Sequence, residues 1–93
     1  MDLSGSIRNF KTTLTGTGTL AFSNIPAGVV SEILVKVTQD ATGGRTLNFP
    51  AGTIWGGGAA PTPSSGANEL DFYMFLIDDS GTVHGNVVGQ AYA

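Results

Sequence analysis

Only a handful of side chains in this 93-residue sequence are of types that do chemistry. Glu69 and Asp71 come closest to a carboxylate pair, being two apart and so on one face of a strand. A glycoside hydrolase sets two such groups across a substrate cleft, about 5–9.5 Å apart. A chain this short has little room for a cleft, and the expectation is that it is not an enzyme. His84 is the only histidine, hence the only base for a Ser-His-Asp arrangement, and no GxSxG elbow accompanies it. With no cysteine in the chain, disulfides, thiolate zinc sites and a cysteine nucleophile are excluded. A lone imidazole on a hairpin strand therefore reads as a surface residue. Asp78-Asp79-Ser80-Gly81 begins like a calcium loop, but the twelfth position, where a bidentate Glu belongs, is Gly89. Gly16-Thr17-Gly18-Thr19-Leu20-Ala21 fits the loose dinucleotide fingerprint, yet Asn24-Ile25-Pro26 interrupts the helix that must follow it. Both segments read as β-turns. No catalytic residue, metal ion or cofactor is expected.

What remains is surface for recognition. Trp55 and the aperiodic stretch 56–68, with Pro61 and Pro63, form one candidate, and Arg45 after Gly43-Gly44 lies in another loop. Arg45 has two candidate partners, Asp40 or an acid on a neighbouring chain, and either would pin its loop. The four bases, Arg8, Lys11, Lys36 and Arg45, are scattered in a chain of net charge -3. Phosphate-backbone affinity needs cations gathered on one face, so direct nucleic-acid binding is not expected. The N-terminal residues lack the basic start and apolar core of a signal peptide, and no apolar run approaches the roughly 20 residues of a membrane helix.

The elements that would carry these residues are strands. Fourteen glycines oppose a helical bundle, and charged residues make up 12% against a usual share of about 25%. Gly and Pro divide the chain into expected strands at 7–14, 19–22, 29–39, 45–49, 53–55, 70–77 and 83–88, with turns at 15–18, 40–44 and 78–82. In 29–39, Ile33, Val35 and Val37 alternate with Glu32, Lys36 and Thr38, while Val30 and Leu34 on the wetter side suggest partial cover there. The stretch 70–77, Leu-Asp-Phe-Tyr-Met-Phe-Leu-Ile, is apolar on both faces beyond Asp71 and must be covered on both. One cover is a second layer of this chain and the other a neighbouring subunit. The expected fold is all-β, a β-sandwich or jelly-roll-like barrel of about six or seven short strands. It forms a single domain over 7–93, with a polar arm over 1–6. Small domains without disulfides often borrow stability from a partner, and a homotrimer is expected. Either Leu70, Phe72, Met74 and Leu76 or the opposite set Tyr73, Phe75 and Ile77 meets the partner chains.

From Ile25 onward the ordered series Thr38-Gln39-Asp40-Ala41-Thr42-Gly43-Gly44-Arg45-Thr46, Phe49-Pro50, Ile54-Trp55, Gly57-Gly58 and Gly66-Ala67-Asn68-Glu69-Leu70-Asp71 resembles a known module. It is a β-rich module of tailed-bacteriophage virion structural proteins, of the capsid cement (decoration) or tail-fibre type. The match closes with the hairpin from Phe75 through Asp78-Asp79-Ser80-Gly81 to Gly85 and covers about two-thirds of the chain. The resemblance implies a virion structural role on the capsid surface or tail, after assembly in the host cytoplasm. The implied partners are other copies of the chain and the major capsid protein or other virion proteins. Under the tail- or head-fibre alternative, host surface glycan is the partner and the Trp55 loop reads it.

Overall fold

A computed structural model describes Met1, Leu3 and residues 9–93, and places seven strands among them. They are β1 (Asn9–Leu14), β2 (Gly18–Thr19), β3 (Ser31–Gln39), β4 (Leu47–Asn48), β5 (Ile54–Trp55), β6 (Leu70–Ile77) and β7 (Val83–Tyr92). Gly56–Gly58 makes one 3-10 turn, and no α-helix occurs among the described residues. The protein is thus a small all-β chain.

Five strands form an open mixed sheet in the order β1-β3-β6-β7-β5. β3 and β6 are its centre, antiparallel, with Val35 opposite Tyr73. β1 runs parallel to β3, Phe10 facing Val35, and β5 runs parallel to β7, Trp55 facing Gly85. A second, two-stranded parallel ribbon joins β2 to β4, Gly18 opposite Leu47.

The period-2 alternation of β3 decides which side of the sheet becomes the core. Ser31, Ile33, Val35, Val37 and Gln39 all point inward and are buried. Their antiparallel register brings Asp71, Tyr73, Phe75 and Ile77 of β6 to the same face, equally buried. Leu20 and Leu47 from the ribbon layer close over them, with Phe22, Phe49 and Trp55 packed at the margin. The rings meet edge to face: Phe75 lies 5.4 Å from Phe22 and 5.8 Å from Trp55, and Phe49 lies 5.1 Å from Tyr73. Such pairs add about 0.5–1.5 kcal/mol each beyond the area they bury. Leu3 is fully buried in this core, and its N–H donates to the Ser23 carbonyl at 2.8 Å. The remainder of the arm expected over 1–6, apart from Met1, lies outside the described residues.

Two of the three expected turns do not close hairpins. The turns at 15–18 and 40–44 do not return the chain beside the strand it has left, because β1 pairs with β3 and β2 with β4, both in parallel. The loop after β3 instead carries the chain from the sheet to the ribbon layer. Asp40 Oδ1 accepts from the N–H groups of Thr42 (3.1 Å) and Gly43 (3.0 Å), turning the backbone away from the sheet. The Gln39 amide then ties both faces of the bend, accepting from Arg45 N–H and donating to the Arg45 and Ser64 carbonyls. Gly43 sits at φ +71°, and a Cβ there would lie 2.7 Å from the Ala67 nitrogen, so glycine is required on both counts. The third expected turn, 78–82, does join β6 to β7. Its second strand runs on to Tyr92, where a short tail after residue 88 was expected, because two register shifts let irregular backbone stay paired.

Candidate interaction surface

The expected site residues fall into two groups according to which side of the sheet they occupy. Tyr73, Phe75 and Ile77 have no exposed surface: this chain alone encloses them. Leu70, Phe72, Met74 and Leu76 point to the other side and are only half-buried. Of the two sets expected to meet a partner, the outward one therefore has surface to offer.

Register builds that outer face row by row. Glu32 of β3 lies beside Leu76, Leu34 beside Met74, Lys36 beside Phe72 and Thr38 beside Leu70. β1 adds Asn9 next to Leu34 and Lys11 next to Lys36. β7 adds His84 beside Leu76 and Asn86 beside Met74. At its far end the Tyr92 ring packs edge to face on Phe72, 5.8 Å away. Asn9, Phe10, Lys11, Leu34, Lys36 and Phe72 line a groove of about 400 Å³ along the β1 side. The result is an apolar band with an acid towards one end and two lysines towards the other. Of these residues, Leu34 was signalled by its break in the β3 alternation. Glu32 and Lys36 were placed on the wetter side of the same alternation, but only the register sets them beside β6; Lys11, on β1 next to Lys36, and Tyr92 carried no signal.

The other candidate residues have partners of their own. Arg45 pairs with Asp40, Nη2 to Oδ2 at 3.0 Å, one of the two partners expected for it. That contact, then the Gly43 N–H, holds the Asp40 carboxyl below its usual range. Trp55 packs on Phe49 at 4.6 Å and lies over Gly85, where a Cβ would sit 2.6 Å from the indole. Pro61 and Pro63 are half-buried in the loop that returns to β6. Glu69 Oε1 accepts from Gly66 N–H at 2.7 Å. His84 Nε2 lies 3.2 Å from Asp78 Oδ2, while Asp78 Oδ1 accepts from Ser80 and Thr82 N–H, the Asx geometry of a β-turn.

Among the described residues, Asp71 is the one buried carboxylate with a network around it. Its Oδ2 accepts from Tyr73 Oη (2.6 Å) and Ser64 N–H (2.8 Å), and its Oδ1 from Ala91 N–H (2.9 Å). Gln90 Nε2 donates to Tyr73 Oη at 3.1 Å and to the Thr62 carbonyl at 2.9 Å. This carboxylate spends its lone pairs fastening the 56–69 loop and the end of β7 to the sheet. Sequence reading paired it with Glu69 and missed Ser64, Gln90 and Ala91, all of them distant in the chain or polar without periodicity. Among the described residues no three His, Asp or Glu side chains gather in a metal-binding group.

Compared with protein-family models, curated proteins and solved structures, the chain matches none.

Proposed function

We propose that this chain is a bacteriophage virion structural protein, a capsid cement (decoration) protein that associates with itself and stabilises an assembled shell. The observation that carries the reading is the two-sided β6. One side is wholly consumed by the chain's own core, while Leu70, Phe72, Met74 and Leu76 on the other stay half covered in a single copy. Contiguous apolar surface on a soluble chain marks an interaction site. Covering it with a further sheet would also complete the expected sandwich. The serial resemblance from Ile25 to Gly85 supplies the class of assembly, and the major capsid protein is the second partner.

Cementing follows from linkage: a protein that binds the assembled lattice and not its dissociated subunits stabilises the lattice by mass action. The test is the solution mass of the purified chain together with the heat resistance of capsids with and without it. A homo-oligomer that raises the capsid melting temperature is the expected result. A folded monomer that leaves capsid melting unchanged overturns the reading. The number of copies, three by the sequence expectation, depends on which charges the joined faces bring together.

A further inference from the structure

We infer that the outer face of β3 and β6 is a two-fold self-interface, with Lys36 of each copy meeting Glu32 of the other. This rests on the self-association proposed above and specifies its symmetry, two copies in place of three.

The charges on that face carry the argument. β3 presents Glu32, Leu34 and Lys36 outward, with Leu34 midway between the two charges. The row through Leu34 continues into Met74, and Leu76 and Phe72 flank it on β6. A half-turn about an axis lying in the interface, across the strands and through the Leu34–Met74 row, lays β3 on β3 in antiparallel sense. Leu76 then falls on Phe72 of the second copy, and Glu32 falls on its Lys36. Face-packed sheets lie about 10 Å apart, a gap that a lysine and a glutamate side chain together span. Among the described residues Lys11, Lys36 and Glu32 make no ion pair, the salt bridges being Arg45–Asp40 and His84–Asp78. Both ends of the band are thus free to pair outward. Lys11 stands beside Lys36 in register and strengthens the positive end.

A three-fold axis parallel to the strands does the opposite. It keeps every Lys11–Lys36 pair at one height and brings like charges together around the axis, which opposes association. An isologous two-fold contact is self-complementary by construction, each residue on one side being answered by its counterpart on the other.

The test uses the full chain with Glu32→Lys and Lys36→Glu, both at exposed positions where folding is little affected. Wild-type chain is expected at twice the 9.5 kDa chain mass by light scattering. Each single variant is expected to associate about tenfold more weakly or worse, because its own two-fold mate now opposes it with like charge. Mixing the two variants restores a one-to-one heterodimer, since each then meets the charge it lacks. Circular dichroism melts confirm that each variant is folded. A wild-type trimer, or an oligomer indifferent to both reversals, overturns the two-fold face and leaves self-association standing. Folded variants that fail to pair on mixing likewise overturn it. A wild-type monomer that still protects capsids overturns the inference together with self-association, and leaves capsid stabilisation standing. A monomer inert towards capsids overturns both proposals.

Discussion

Asp71 is a carboxylate with 3% of its surface exposed, a position that is costly unless its charge is answered. Burial pushes its pKa up, but the hydrogen bonds from Ser64, Tyr73 and Ala91 outweigh burial and hold it below 3.8. Its folded pKa thus lies below its unfolded one. The stability it contributes is present above pH 3.8 and is lost as the pH falls through the folded value. Asp71→Asn replaces one acceptor oxygen by an amide donor among groups that are themselves donors. It is expected to lower stability by about 2–3 kcal/mol at neutral pH, read as a fall in the urea midpoint. The variant should also lose less of its remaining stability on acidification than wild type does. Asp40 and Asp78 are depressed too, mainly by Arg45 and His84, so some acid sensitivity persists. Tyr73 shifts the other way: burial first, then its bond to Asp71, raises the phenol far above 10.0. Its contribution is present below pH 10 and is lost as the pH rises, so phenolate absorbance from Tyr73 should develop together with unfolding. The Arg45–Asp40 pair is weaker, with side chains 32% and 21% exposed. Arg45→Gln is expected to cost no more than about 1 kcal/mol, with Asp40→Ala costing more because Thr42 and Gly43 N–H lose their acceptor.

At the scale of elements, the shortest pairing of the five-stranded sheet is the most exposed to a single substitution. β5 contributes two residues to the sheet, and the Trp55 indole of β5 lies over Gly85 of β7. Gly85→Ala forces the indole to move, at an expected cost of about 1–3 kcal/mol, with a shift in tryptophan emission reporting the displaced ring. An unchanged emission spectrum would mean that Trp55 does not rest there. The same strands show what was legible beforehand. The bounds of β6, 70–77, follow from an unbroken apolar run closed by Asp78-Asp79-Ser80-Gly81, and β3 follows from its alternation. Both signals are local. In sequence β7 reads as ending at 88, before Gly89 and a short tail, whereas the structure keeps Ala91, at φ +59°, within the strand. The reason it continues is Asp71 Oδ1 taking the Ala91 N–H from 20 positions away. The parallel partners of β1 and β2 were hidden for a related cause. Gly-rich turns mark where a strand stops, and only packing between layers decides which strand it joins. The outer face was half legible: β6 displayed its surplus of apolar residues, but no local pattern sets Lys11, Lys36 and Glu32 around it.

For the molecule as a whole, a chain of this size with no disulfide has little margin, so association should be visible in its stability. If copies join through the β3–β6 face, folding and assembly are linked. Each tenfold rise in chain concentration then adds about 1.4 kcal/mol to the stability of a dimer. The melting temperature of wild-type chain, followed by calorimetry across such a range, is expected to climb. Met74→Ser separates this effect from core packing, because Met74 is half-buried on the outer side and belongs to the central row of the proposed contact. In dilute solution the variant should melt within a few degrees of wild type, having lost only part of one side chain's burial, under about 1.5 kcal/mol. At high concentration the two should diverge, wild type rising while the variant stays level. Equal concentration dependence in both would place the contact elsewhere on the surface. A wild-type melting temperature that ignores concentration would mean that the outer rows of Leu34, Phe72, Met74 and Leu76 are tolerated in water by a single copy.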